Sequence, residues 1–276
     1  FGSIADKYDV IITGSDQVWN TNIEDCDPVF FLPFPFKGKK IAYACSVNEG
    51  RVNERFPEEW LNKWLQQYNF ISVREQSGVE KVSSFLDNNM KIYNTLDPTL
   101  LLDKEMYNSL IGEKIKQEHY IFLYNMWTKM EGIQVARKIS EKLGLPVYTL
   151  TNQMDMIRII KYSSNGVKVD LQHTGPKDFL NYIYYSDFVI TDSFHGTAFS
   201  IIFNKEFLTL NAHTDNGKYK NDERLKNILS HESLSERFVK IGDIDSFDLR
   251  KKIDYKIVNE YRENLKSQSL CLLFDA

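Results

Sequence analysis

Short apolar runs alternate with amphipathic stretches along most of this chain. Tyr8-Asp9-Val10-Ile11-Ile12-Thr13 and Lys40-Ile41-Ala42-Tyr43-Ala44-Cys45 are bounded by polar or glycine-containing segments and read as strands. From Pro57 to Tyr68 the apolar residues Trp60, Leu61, Trp64 and Leu65 recur at helical spacing, and Phe70-Ile71-Ser72-Val73 then reads as a strand. A helix over 75–86, a strand at Lys91-Ile92-Tyr93 and the breaking pair Asp97-Pro98 extend the alternation. After a predicted helix over 104–115 the pattern restarts. It runs through a strand over 119–124, a helix over 131–143 closed by Gly144, a strand over 147–150, a helix over 176–185 and a strand over 188–191. Such alternation predicts two α/β domains, placed at residues 1–110 and 111–252, with a charged amphipathic helix in the closing segment 253–276.

The loop after the first strand breaks the pattern with Pro28, Pro33 and Pro35 among Phe30, Phe31, Phe34 and Phe36. It can pack over a domain edge or stack on a sugar ring.

At 276 residues, 42% hydrophobic and 26% charged, the chain has the composition of a globular protein rather than a disordered one. Its formal charge of −4, with no basic block, argues against nucleic acid as the main partner and means that an anionic ligand needs a local positive site. Three widely separated cysteines, Cys26, Cys45 and Cys271, form neither a disulfide framework nor a zinc pattern, which fits a reducing, cytoplasmic setting. The longest apolar runs fall well short of the roughly 18 residues of a membrane helix.

The richest chemistry lies in residues 187–200, DFVITDSFHGTAFS. Phe188-Val189-Ile190-Thr191 reads as a buried strand, and a polar turn with His195 follows it before a helix predicted to start near Gly196-Thr197. Ligands of open α/β sheets bind outside the carboxyl ends of strands, and a helix N-terminus there favours anions. Ser193, Gly196 and Thr197 would line such a site, with Gly196 letting the backbone come close and His195 pairing with the anion or passing a proton. A capping turn with a hydrogen-bonded structural histidine is the alternative for the same residues.

A second polar turn, Gly14-Ser15-Asp16-Gln17-Val18-Trp19-Asn20, follows the first strand. It lacks the glycines and lysine of a phosphate loop. Ser15, Asp16, Gln17 and Asn20 suit hydroxyl groups, and Trp19 suits a sugar face; equally, Asp16 and Asn20 could cap a helix and Trp19 could be core. Arg74, ending a strand, and Arg224, opening an amphipathic helix, are candidates for a carboxylate or phosphate, with ordinary ion pairing or solvation as the alternative. Asp25-Cys26-Asp27 and Asp243-Ile244-Asp245 read as surface turns, and His119, His173, His213 and His231 show no metal-ligand spacing.

Taken in order, YDVIITGSDQVWN, ISVREQSG, NTLDPTLLL and DFVITDSFHGTAFSIIFNKEFLTL resemble the polysaccharide pyruvyl transferases, over most of residues 8–230. GSDQVWN and SFHG are the specific blocks. The resemblance implies two Rossmann-like domains similar to the GT-B glycosyltransferases, with the active site in the cleft between them. It implies transfer of a pyruvyl group from phosphoenolpyruvate to two hydroxyls of a sugar in a surface polysaccharide or its precursor, giving a cyclic ketal, with no metal and no cofactor besides that donor. His195 would then be the donor-site histidine, as general acid or phosphate clamp, and Asp16 would orient or deprotonate an acceptor hydroxyl. Arg74 and Arg224 would hold the donor's carboxylate or phosphate. A lipid-linked acceptor would bring the protein to the inner face of a membrane.

Two departures qualify the expectation. Some members carry an arginine before the histidine block, where this chain has Ser193-Phe194, which leaves Arg224 as the preferred positive partner. Members also carry a further strand and a glycine-containing turn upstream of GSDQ, so the N-terminal domain is expected to be incomplete. A nucleotide-sugar glycosyltransferase and a non-catalytic glycan-binding relative are the competing readings.

Overall fold

Residues 7–47, 55–86, 90–126, 129–150, 156–211, 222–230 and 232–276 are described by a computed structural model. They form two parallel sheets. The first holds β1 (Val10–Thr13), β2 (Lys39–Cys45), β3 (Phe70–Val73) and β4 (Ile92–Asn94), in that spatial order. Helix α1 (Glu58–Leu65) joins β2 to β3, and α2 (Gln76–Ser83) joins β3 to β4. All four residues of β3 are buried, as in a parallel strand covered on both faces.

The proline and aromatic loop makes a 3-10 turn, Pro28–Phe31, capped by the Asp27 side chain on the Val29 N–H. It packs inward. Phe31 is fully buried in the core with Trp19, Leu61, Leu65 and Ile71. The buried Lys40 ties the loop down, donating to the Leu32 carbonyl at 2.8 Å, the Phe34 carbonyl at 2.5 Å and Gln67 Oε1 at 2.6 Å. Burial holds its pKa below the usual lysine value.

In the second sheet β5 (Ile121–Tyr124) follows a 3-10 turn, Lys104–Tyr107, and a single helical turn, α3 (Asn108–Ile111). The single long helix predicted over 104–115 is therefore replaced by two short pieces. The remaining strands are β6 (Val147–Leu150), β7 (Val167–Asp170), β8 (Phe188–Thr191), β9 (Phe207–Asn211) and β10 (Phe238–Lys240). The helices among them are α4 (Lys129–Leu143), α5 (Met156–Ser164), α6 (Pro176–Tyr185), α7 (Phe194–Ile202), α8 (Glu223–Ile228) and α9 (Glu232–Ser235). Helix α10 (Tyr255–Phe274) occupies most of the closing segment 253–276 in which the sequence predicts an amphipathic helix.

The six strands lie in the order β10-β9-β8-β5-β6-β7, all parallel. Numbered within the sheet, this is the Rossmann order 6-5-4-1-2-3, whose strand sequence reverses between β5 and β8.

The chain divides into two compact units, Phe1–Leu101 with Asn221–Asn227 and Asn259–Ala276, and Leu102–Lys220 with Ile228–Val258. The C-terminal helix is thus not a separate element: from Asn259 onward it belongs to the first unit, where Leu272 and Leu273 pack against Ile41, Tyr43 and Phe70. The second unit has its own core, with Ile121, Leu123, Ile139, Phe188, Ile190 and Leu208 among its members. No helix among the described residues is long and apolar enough to cross a membrane.

Candidate active site

In the first unit the polar turn sits at the carboxyl end of β1. Gly14 adopts φ +112°, and a Cβ there would lie 2.1 Å from the Tyr43 carbonyl oxygen, so both conformation and space require glycine. Ser15 donates from Oγ to the Ala44 carbonyl at 2.8 Å and to Asp97 Oδ2 at 3.1 Å. Asp16 follows in the left-handed region, φ 53°, with its side chain 61% exposed. Its backbone carbonyl accepts from the Ser46 N–H at 2.8 Å, which ties the turn to the end of β2.

Beneath Asp16 lies Arg74, only 2% exposed. The guanidinium meets three carboxylates: Asp97 at 2.7 Å, Glu75 at 3.4 Å and Asp16 at 3.4 Å. Burial by itself would lower the Arg74 pKa, and the charges of Asp97 and Glu75 more than reverse that. Burial would raise the Asp97 pKa, yet Arg74 and the Thr99 hydrogen bonds hold it below the ordinary carboxylate value. Glu75 is buried too, accepting from Ser46 Oγ at 2.6 Å and from the Val47 N–H at 3.2 Å. The sequence expectation had Arg74 reaching a ligand; in the structure its guanidinium is packed among protein carboxylates, and the side chain it touches that faces water is Asp16.

Three further expectations change in the first unit. Trp19 is fully buried, stacked on Phe31 at 5.3 Å, and donates from Nε1 to the Phe30 carbonyl at 3.1 Å. A ring so enclosed offers no face to a sugar, and its enclosure comes from the aromatic loop. Asn20 is also buried, donating from Nδ2 to Gln17 Oε1 at 2.7 Å and accepting at Oδ1 from the Asn22 N–H at 3.1 Å, so its amide is taken up within the turn. Arg224 is buried against Asp222, donating from Nε to Oδ1 at 2.9 Å and from Nη2 to Oδ2 at 2.6 Å. Its fork is filled by its own helix cap, and it belongs to the first unit, whereas His195 belongs to the second.

In the second unit, the turn after β8 lies where the strand order reverses. Helix α7 starts at Phe194, two residues earlier than predicted, because Ser193 is the N-cap and accepts from the Gly196 N–H at 3.4 Å. Gly196 and Thr197 therefore lie inside the first turn. A Cβ on Gly196 would sit 2.3 Å from Thr191 Oγ1, so this glycine serves close packing of α7 on β8 rather than approach of a ligand. Thr197 is fully buried, bonded from Oγ1 to the Ser193 carbonyl at 3.0 Å and to Thr209 Oγ1 at 2.8 Å. Half-buried His195 stands on the same first turn, its ring 5.4 Å from that of Phe194 and nearly perpendicular to it.

Sequence reading missed several polar residues around this turn. Thr191 Oγ1 donates to the Tyr124 carbonyl at 2.7 Å and accepts from the Ser193 N–H at 3.0 Å. Asp192, 2% exposed, accepts from the Met126 N–H at 2.6 Å and so joins the exits of β8 and β5. Asn125, directly after β5, accepts from Tyr162 Oη at 2.5 Å. Asp192 stands inside the block already singled out and could have been named; Asn125 and Tyr162 become neighbours only through the strand order. His213 and His231 lie outside the described residues, and among those residues no group of three or more His, Cys, Asp or Glu side chains could hold a metal ion.

The described fold is similar to several solved structures. A UDP-forming α,α-trehalose-phosphate synthase from Burkholderia xenovorans matches with TM-score 0.52 at 7% identity, over 86% of this chain and 68% of that one. A Listeria monocytogenes structure described as a UDP-N-acetylglucosamine 2-epimerase matches with TM-score 0.55 at 14% identity, over 98% and 67%. An E. coli trehalose-6-phosphate protein bound with UDP-2-fluoro glucose matches with TM-score 0.52 at 9% identity, over 89% and 71%. At such identities the likeness speaks to fold alone, and that fold is the GT-B type with two Rossmann-like domains. No curated protein matches the sequence. The profile of the family described as polysaccharide pyruvyl transferase matches residues 2–214, which include both the GSDQVWN turn and the His195 turn. The chain belongs to the polysaccharide pyruvyl transferase family.

Proposed function

We propose that this protein transfers a pyruvyl group from phosphoenolpyruvate to two hydroxyls of one sugar, in a surface polysaccharide or its lipid-linked precursor, forming a cyclic ketal. The observation that carries the reading is the position of His195, on the first turn of α7 at the strand-order reversal of a Rossmann sheet, within a chain of this family. That place favours an anion, through the partial positive charge of the helix start.

The chemistry assigns the rest. The enol methylene of the donor takes up a proton and becomes a methyl group, and the carbon bearing the phosphate oxygen becomes cationic. One sugar hydroxyl attacks that carbon and loses its proton, inorganic phosphate leaves, and the second hydroxyl closes the ring with loss of its own proton. His195 supplies the first proton or clamps the phosphate as it departs. Asp16, exposed and held from below by Arg74, accepts or orients the hydroxyl proton of the acceptor. Arg74 then acts as a positioning residue. Binding of a lipid-linked acceptor would place the protein at the cytoplasmic face of a membrane.

Replacing His195 by Ala tests the reading. Phosphate release from phosphoenolpyruvate in the presence of a polysaccharide acceptor should collapse while the far-ultraviolet circular dichroism stays unchanged. Undiminished release in that variant contradicts it.

A further inference from the structure

We infer that α5 is an interfacial helix, which lays Met156, Ile157 and Ile160 into an anionic lipid surface. The choice of a lipid as occupant rests on the proposed lipid-linked acceptor, whereas binding of α5 to a bilayer is measurable without pyruvyl transfer.

A helix on a sheet of this kind ordinarily turns its apolar side inward and its polar side to water. Helix α4 does so: Ile133, Val135, Ala136 and Ile139 are buried, and Glu131, Arg137, Lys138, Glu141 and Lys142 are exposed. Helix α5 sends apolar residues both ways. Tyr162 faces inward and belongs to the core of the second unit, whereas Met156, Ile157 and Ile160 are 69%, 63% and 59% exposed. Ile160 lies four residues after Met156 and three after Ile157, so the three side chains form one outward strip. Exposed Lys161, four residues after Ile157, borders that strip. The other charged residue of α5 is Arg158, so the helix is positive on a chain of net charge −4.

Size, charge and place select a lipid surface. Three side chains on a nine-residue helix are far fewer than the roughly 20–30 residues a side of a stable protein interface, so a second copy gains little here. Shallow insertion into a bilayer needs only such a strip: the apolar residues enter the headgroup boundary while flanking cations meet anionic lipid. Helix α5 follows β6, and Leu171, 63% exposed, follows β7, which puts Met156, Ile157 and Leu171 toward the carboxyl edge of the sheet. His195 lies at that same edge, after β8. A bilayer met by α5 therefore presents its lipid-linked sugars on the side of the sheet where the donor is proposed to bind.

The test is flotation with vesicles of phosphatidylcholine alone and of phosphatidylcholine mixed with an equal part of phosphatidylglycerol. Wild type is compared with the paired substitutions Ile157→Gln with Ile160→Gln and Ile157→Leu with Ile160→Leu, and with Lys161→Gln. We expect wild type to float with the mixed vesicles, to bind pure phosphatidylcholine less, and to lose binding as salt rises. The paired Gln substitution should weaken binding about tenfold or more, the paired Leu substitution should preserve it, and Lys161→Gln should weaken it about fivefold. Phosphoenolpyruvate affinity by calorimetry and the thermal midpoint should be the same in all four proteins. No flotation of wild type with the mixed vesicles, or equal flotation of the paired Gln variant, overturns the inference. A wild-type dimer that becomes monomeric in the paired Gln variant also overturns it, because a second copy then covers the strip. Lipid binding that only the paired Gln variant loses, with no phosphoenolpyruvate binding by any of the four, removes pyruvyl transfer and upholds α5 as the docking helix.

Discussion

Arg74 donates from Nη1 to Asp97 Oδ2 at 2.7 Å, with both side chains withheld from water. Removing one partner leaves the other charge buried and short of its partner. We expect Arg74→Met and Asp97→Asn each to destabilise the protein by about 3–5 kcal/mol, read from urea unfolding. A cost below about 1 kcal/mol would show the pair to be open to solvent.

The same pair sets an acid limit. The Asp97 pKa is depressed in the folded protein, so the folded state binds fewer protons than the unfolded chain as pH falls. Its stabilisation is complete above the unfolded value, about 3.9, and is lost as pH falls through the folded value. We expect thermal stability to drop below about pH 4, and Asp97→Asn to flatten that part of the profile. An identical slope in the variant assigns the acid sensitivity to other carboxylates.

Gly196 touches Thr191 where a larger side chain has no room. The Thr191 side chain is fixed by its bonds to the Tyr124 carbonyl and the Ser193 N–H and cannot swing away cheaply. Gly196→Ala should cost about 1–3 kcal/mol through overpacking and should lower turnover by shifting the first turn of α7. Wild-type stability and turnover in that variant would show that the helix start gives way freely.

Trp19 separates a core residue from a sugar platform. Trp19→Phe should leave acceptor KM unchanged, and Trp19→Ala should destabilise by about 3–5 kcal/mol, measured by unfolding. A raised acceptor KM in an otherwise stable Trp19→Phe variant would return the ring to the site.

Much of the architecture was legible because its strands are short, apolar and separated by amphipathic helices. Phe70–Val73 and Phe188–Thr191 were found at their observed bounds, since parallel strands buried on both faces show as uninterrupted apolar runs. Val167–Asp170 was missed because it is an edge strand in which exposed Lys168 interrupts the run. Both motif blocks lie at strand carboxyl ends, GSDQ as a turn whose Gly14 needs a positive φ and SFHG as the N-cap and first turn of a helix whose Gly196 serves packing. The partners of the arginines could not be read in advance. Arg74 finds Asp97 23 residues away, which only packing decides, whereas Arg224 turns back on Asp222 two residues before it, a local capping contact that the sequence carried but that its amphipathic pattern did not announce. Trp19 was open to either role until the position of Phe31 closed one of them.

The most direct test of pyruvyl transfer is calorimetric titration of the purified protein with phosphoenolpyruvate beside a panel of nucleotide sugars, repeated with His195→Ala. We expect saturable binding of phosphoenolpyruvate that the His195→Ala variant loses, and no comparable binding of the nucleotide sugars. Preference for a nucleotide sugar, or phosphoenolpyruvate binding that survives His195→Ala undiminished, would contradict it.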